Sequence, residues 1–138
     1  MAADSNKSSA PDADIAKLRE LRHALLALHK ALLDDEQLRY EREHGRLESG
    51  GKLLQLLVSD PSFAWLRVLS ALIVQIDERL DAKEPLTLAE VKQIRDEVRT
   101  AIAPSDLGDE FQRNYARALQ SSPQVVMLQG RVAQFLAR

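Results

Sequence analysis

The sequence predicts an all-α fold, a single-domain helical bundle of four to five helices with a long first helix. Three observations predict it. Apolar residues recur at steps of three and four through most of the chain, the spacing of one helical face. Nothing alternates with period two over a useful length, so no sheet is expected. Helix-start signals at Asp60-Pro61, Thr87-Leu-Ala-Glu90 and Ser122-Pro123 leave only short connections between the apolar runs, as an up-and-down bundle requires. The 138 residues suit one hydrophobic core.

Residues 1–13, MAADSNKSSAPDA, lack the apolar run of a secretory signal. Their Ser, Ala, Asp and Pro content reads as a disordered tail ahead of a bundle domain at 14–138. The first helix is expected from about Asp14 to about His44, with Ile15, Leu18, Leu21, Leu25, Leu28 and Leu32 on one face. Gly45 is its natural stop, and Ser49-Gly50-Gly51 reads as a flexible turn. A short apolar segment, Lys52 to Ser59, follows. Asp60-Pro61 then opens a central helix to about Leu80, apolar most of the way round through Phe63, Trp65, Leu66, Val68, Leu69, Leu72, Ile73, Val74 and Ile76.

Thr87 and Glu90 form a capping box, each satisfying an orphan backbone donor at a helix start. The narrow stripe of Leu88, Val91, Ile94, Val98 and Ile102 ends at Pro104. Ser105 or Asp106 is expected to cap the next helix, which uses Leu107, Phe111, Tyr115 and Leu119. Ser122-Pro123 opens the last, with Val125, Leu128, Val132, Phe135 and Leu136 facing the core.

Composition removes several function classes. With no cysteine there is no disulfide framework, thiolate zinc site or cysteine nucleophile, which fits a cytoplasmic protein. The net charge of −2 argues against a dedicated nucleic-acid or membrane-surface binder. Beyond Glu110 there is no acidic residue, while Arg113, Arg117, Arg131 and Arg138 lie there. Four spread arginines are read as partners for the acidic remainder rather than as a phosphate track. The longest apolar stretch, Phe63 to Ile76, contains Arg67 and falls short of the roughly 20 residues needed to span a bilayer.

Histidine is the first place to look for chemistry. Glu20-Leu-Arg-His23 and Glu41-Arg-Glu-His44 carry the Glu-x-x-His spacing of di-iron bundles. Such sites take the two copies from different helices, and here both lie on one helix, so the di-iron reading is rejected. His29 falls in the middle of the first helix's apolar face, in line with Leu18, Leu25 and Leu33. Arg22, Glu36 and Tyr40 share that line. A buried His or Glu is costly unless it is paired. Either Glu36 and Tyr40 emerge to solvent with His29 satisfied by a neighbouring carboxylate, or His29, Glu36 and Tyr40, joined by Asp77, build a polar pocket or partner surface.

No nucleophile, oxyanion donor or phosphate loop accompanies that line, and Gly50-Gly51 has none of the spacing of a phosphate fingerprint. No catalytic residue, cofactor or metal ligand is therefore assigned. Trp65 reads as core, with a recognition anchor as its other use. On the last helix Val126, Gly130, Ala133 and Ala137 lie opposite the apolar stripe. A mid-helix Gly costs roughly 1 kcal/mol relative to Ala and often marks close backbone approach, within the bundle or across a homodimer.

The run LLQLLVSDPSFAWLRVLSALIVQID, with LHKALLDDEQLRYEREHG before it, resembles a family of small, uncharacterised bacterial proteins that share LLQLL-x-x-DP-x-FAWLR-x-LS-x-LI. The resemblance covers Leu28 to Glu78 and implies a helical fold in a bacterial cytoplasm, with no activity attached. The family pattern has Pro after Leu-Arg where this chain has Val68, so the central helix is expected to run straighter.

The function these residues suggest is that of a non-enzymatic cytoplasmic interaction protein, binding a protein partner or a second copy of itself. The alternative is a small-ligand or metal-binding bundle centred on His29, Glu36 and Tyr40.

Overall fold

The computed structural model describes residues 9–105 and 107–137. Among them are seven helices: α1 (Asp12–His44), α2 (Gly50–Ser59), α3 (Pro61–Ala64), α4 (Arg67–Asp81), α5 (Leu88–Ala101), α6 (Glu110–Ser121) and α7 (Pro123–Leu136). The count exceeds four to five because the segment after α1 forms its own helix and the next is broken. No strand occurs among the described residues; one isolated bridge joins Ser9 to Thr87.

The long first helix is the hub. Its 33 residues extend about 50 Å at 1.5 Å per residue. It packs most extensively on α7, then on α4, and also touches α3, α5 and α6. Leu18, Leu21, Leu25, Leu28 and Leu32 are shut off from solvent along it, so its leucine spacing became the centre of the core. Gly45 ends it with φ +87, a conformation that an L side chain rarely adopts.

The N-terminal boundary lies earlier than Asp14. The Ala10 N–H donates to the Leu86 carbonyl at 2.7 Å, and Ala10 is buried. These contacts tie the approach to α1 against the α4–α5 connection. Positions 1–8 of the expected tail lie outside the described residues.

Four local expectations are corrected. Gly50 and Gly51 are the first turn of α2, because the Ser49 hydroxyl accepts from the Lys52 N–H and caps the helix. The expected straight helix from Pro61 is interrupted at Trp65–Leu66, where the Leu66 N–H reaches the Phe63 carbonyl, three residues back. That tightening accompanies burial of Phe63, Trp65 and Leu66 together, side chains that a regular helix would spread over a wide arc. Helix α4 is not central: α1 and α5 cover one side, and Val68 and Val74 stay exposed. Helix α6 is capped by Asp109, which forms a reciprocal capping box with Gln112, leaving Leu107 at 96 % exposure. Asp106, the other expected cap, lies outside the described residues.

The remaining starts follow the sequence. Asp60 accepts from the Ser62 N–H with Pro61 behind it. Thr87 and Glu90 close their capping box, and Ser122 accepts from the Val125 N–H.

Candidate functional site

Polar residues recur on α1 at seven-residue steps, Arg22, His29 and Glu36, on the line facing α4 and α3. Each meets a partner across the antiparallel seam. Arg22 Nε donates to Asp77 Oδ1. His29 Nε2 and the Ser70 hydroxyl share a hydrogen bond at 2.8 Å. The Trp65 indole Nε1–H donates to Glu36 Oε1 at 3.3 Å. A seven-residue step is nearly two turns, so the residues repeat on one side of the helix. The partners step backward along α4 at the same spacing until the Trp65–Leu66 interruption. This ladder fixes the register of the seam, because a shift by one turn would leave each rung unpaired and partly buried.

The rungs separate the sequence-predicted site residues. His29 and Glu36 stand about 10 Å apart along the α1 axis, and Asp77 belongs to Arg22. His29 is satisfied by a hydroxyl rather than by the carboxylate expected beside it. Burial lowers its pKa below the usual imidazole range.

Glu36 and Tyr40 are brought together. Glu36 is 6 % exposed, the one charged residue among the buried side chains described. It does not emerge to solvent. Besides the indole, its Oε2 lies 3.5 Å from Arg39 Nε and 3.9 Å from an Arg117 terminal nitrogen. Tyr40 is half-buried, with its ring centroid 5.7 Å from that of Phe63 and 4.3 Å from that of His44. Glu36, Tyr40, Trp65, Asn114 and Arg117 line a recess of about 210 Å³ between α1, α3 and α6.

The charged groups lining the recess are three carboxylates, Glu36, Glu43 and Glu110, and two guanidinium groups, Arg39 and Arg117. Burial and the like charge of Arg39 lower the pKa of Arg117, while Glu36 and Asp35 oppose the shift. Two guanidinium groups and an indole N–H thus surround the Glu36 carboxylate. Trp65 reads as core, 5 % exposed, with Phe111 at 5.6 Å between centroids.

Sequence reasoning missed Arg39 and Arg117 as partners of Glu36. Arg39 carried a signal, the i,i+3 spacing that places two helical side chains together. Arg117 carried a weaker one, as a cation in an acid-free C-terminal stretch. Of the other C-terminal arginines, Arg113 donates to the Gly108 carbonyl, Arg131 is exposed, and Arg138 lies outside the described residues.

Among the described residues no three His, Asp or Glu side chains gather as a metal-holding group. No described helix is long and apolar enough to cross a membrane.

The small-residue face of α7 is open. Val126, Gly130, Ala133 and Ala137 are all exposed, opposite the buried Val125, Val132 and Leu136. A Cβ built on Gly130 meets nothing within 4 Å, so packing inside the bundle does not use the glycine. Met127 beside this face is 68 % exposed.

No protein-family model, curated protein or solved structure matches this chain.

Proposed function

We propose that the protein is a non-enzymatic helical interaction protein that self-associates through the outer face of α7. One observation carries this reading: Gly130 sits mid-helix on an exposed line with Val126, Ala133 and Ala137, and the fold makes no use of its missing side chain. An interior glycine costs a helix about 1 kcal/mol relative to alanine. A second copy approaching closely supplies the reason for it, since small side chains let helix axes come within about 8 Å. The exposed Val126 and Met127 add apolar area to that contact.

Helix α2 supports the interaction class independently. Of its apolar residues only Leu56 is buried, while Leu54 and Val58 are exposed. A protein partner is thus a further occupant of the same class. The cytoplasmic and bacterial setting belongs to the proposal too, resting on the cysteine-free composition and the LLQLL-to-LI resemblance. Nucleic acid fits poorly, because Arg117 and Arg113 are turned to partners within the fold.

The chain has no cysteine, so Ala133→Cys introduces a single reporter thiol. Mild oxidation should convert this variant to a covalent dimer, while the exposed control Gln93→Cys stays monomeric. Crosslinking of Ala133→Cys no faster than the control contradicts the α7 interface.

The second reading, a ligand-binding bundle, is favoured by the recess beside buried Glu36. It is narrowed to Glu36 and Tyr40, without His29. If it holds, protein purified under native conditions carries extra mass that Glu36→Gln removes. Bare mass in both forms ends it.

A further inference from the structure

Helix α5 carries one charged residue within its apolar stripe. Arg95 follows Val91 by four positions and precedes Val98 by three, in line with Leu88 and Ile102, which turns its side chain toward the core. Its Nε and one terminal nitrogen, Nη2, are shut off from solvent and have no hydrogen-bond partner among the described residues. Among the described residues Arg95 forms no ion pair. Buried donors without partners are rare in folded proteins because each forfeits its hydration. The two nitrogens form the side-on edge of the guanidinium, whose parallel N–H bonds match the two oxygens of a carboxylate.

Arg95 also lines a cavity of about 210 Å³ between α1, α5 and α7. Leu18, Leu21, Val91 and Phe135 supply apolar walls, and Asp14 and Lys17 complete the lining on α1. An unpaired cationic fork beside apolar walls is the arrangement that recognises an amphipathic anion.

We propose that this cavity binds a small organic acid. Its carboxylate pairs with the Nε–Nη2 edge of Arg95, and its short aliphatic body lies against Leu18, Leu21, Val91 and Phe135. Asp14 and Lys17 in the lining offset one another and leave the charge of Arg95 as the excess, which suits a monoanion. The site is separate from the Glu36 recess and does not depend on self-association.

Sodium hexanoate is the probe, followed by backbone amide shifts of the full chain. Saturable shifts clustered on α1, α5 and α7 are expected, with no saturable response to hexanol or hexylamine. Arg95→Met should weaken binding at least tenfold. Because it replaces unpaired buried donors with an apolar chain of similar length, it should unfold at no lower denaturant concentration than wild type. Asp14→Asn, a change near the helix end, should tighten hexanoate binding severalfold and serves if Arg95→Met folds poorly. A response that never saturates, equal binding of hexanol, or retained affinity in folded Arg95→Met overturns the proposal. So does Asp14→Asn binding no tighter than wild type.

Discussion

The Trp65 indole N–H donates to a Glu36 carboxylate oxygen at 3.3 Å, inside the junction of α1 with α3. It is the last rung of the ladder that begins at Arg22–Asp77 and passes through His29–Ser70. The carboxylate also faces Arg39 and Arg117, so one buried anion joins α1, the α3–α4 turn and α6.

Removing that anion should cost stability. Glu36→Ala leaves the indole N–H unpaired and Arg39 and Arg117 without their shared counter-charge. Because both arginines keep partial contact with water, a loss of about 3 kcal/mol is expected, at the low end for breaking a buried pair. Glu36→Gln also removes the counter-charge but keeps an acceptor for the indole, and should cost about 2 kcal/mol. Urea unfolding followed by the emission of Trp65, the only tryptophan, measures both. Equal, negligible losses would show that the cluster does not hold the junction.

Tyr115 is fully buried, and its hydroxyl has no hydrogen-bond partner among the described residues. Burial raises its pKa, so it stays neutral in the physiological range. Tyr115→Phe removes an unsatisfied polar atom while keeping the ring packed on Phe111. The variant should be unchanged or more stable by about 1 kcal/mol. A clear destabilisation in thermal unfolding would mean that the hydroxyl has a partner in solution.

Burial lowers the pKa of His29 in the folded state from an ordinary value of 6.5. The unfolded chain therefore takes up the proton first as pH falls. The stability held by the neutral ring is complete above about pH 6.5 and is lost progressively from there down to the folded-state pKa. His29→Gln should remove this component, so wild type should lose stability relative to it as pH falls below about 6.5. Parallel pH dependences in denaturant unfolding would contradict the assignment.

Much of this was written in helical spacing, and the exceptions have physical causes. Turning 100° per residue placed Arg22, His29, Glu36 and Tyr40 on one line of α1, but their partners depend on how α4 docks. That docking arises from contacts distant in sequence. His29 thus found Ser70 rather than a carboxylate, and Asp77 went to Arg22. Ser49-Gly50-Gly51 carries both turn and capping chemistry, and burial of Leu56 accompanies the helical outcome. Near α6 two capping signals compete within a few residues. Asp109 with Gln112 satisfies two orphan donors at once, which leaves Leu107 outside the helix. Arg95 was not read from the sequence: the α5 stripe was drawn through its apolar residues alone, and the unpartnered buried nitrogens of Arg95 emerge only in the folded chain.

The native mass of the purified protein, beside that of Gly130→Leu, bears on self-association without intermediaries. Gly130 is exposed with open space at its Cβ, so leucine there should leave the monomer folded and, relieved of the helix cost of glycine, more stable by up to about 1 kcal/mol. A dimer is expected for the wild-type chain and a monomer for Gly130→Leu at the same concentration. A wild-type monomer at every concentration, or a dimer that Gly130→Leu leaves intact, would contradict it.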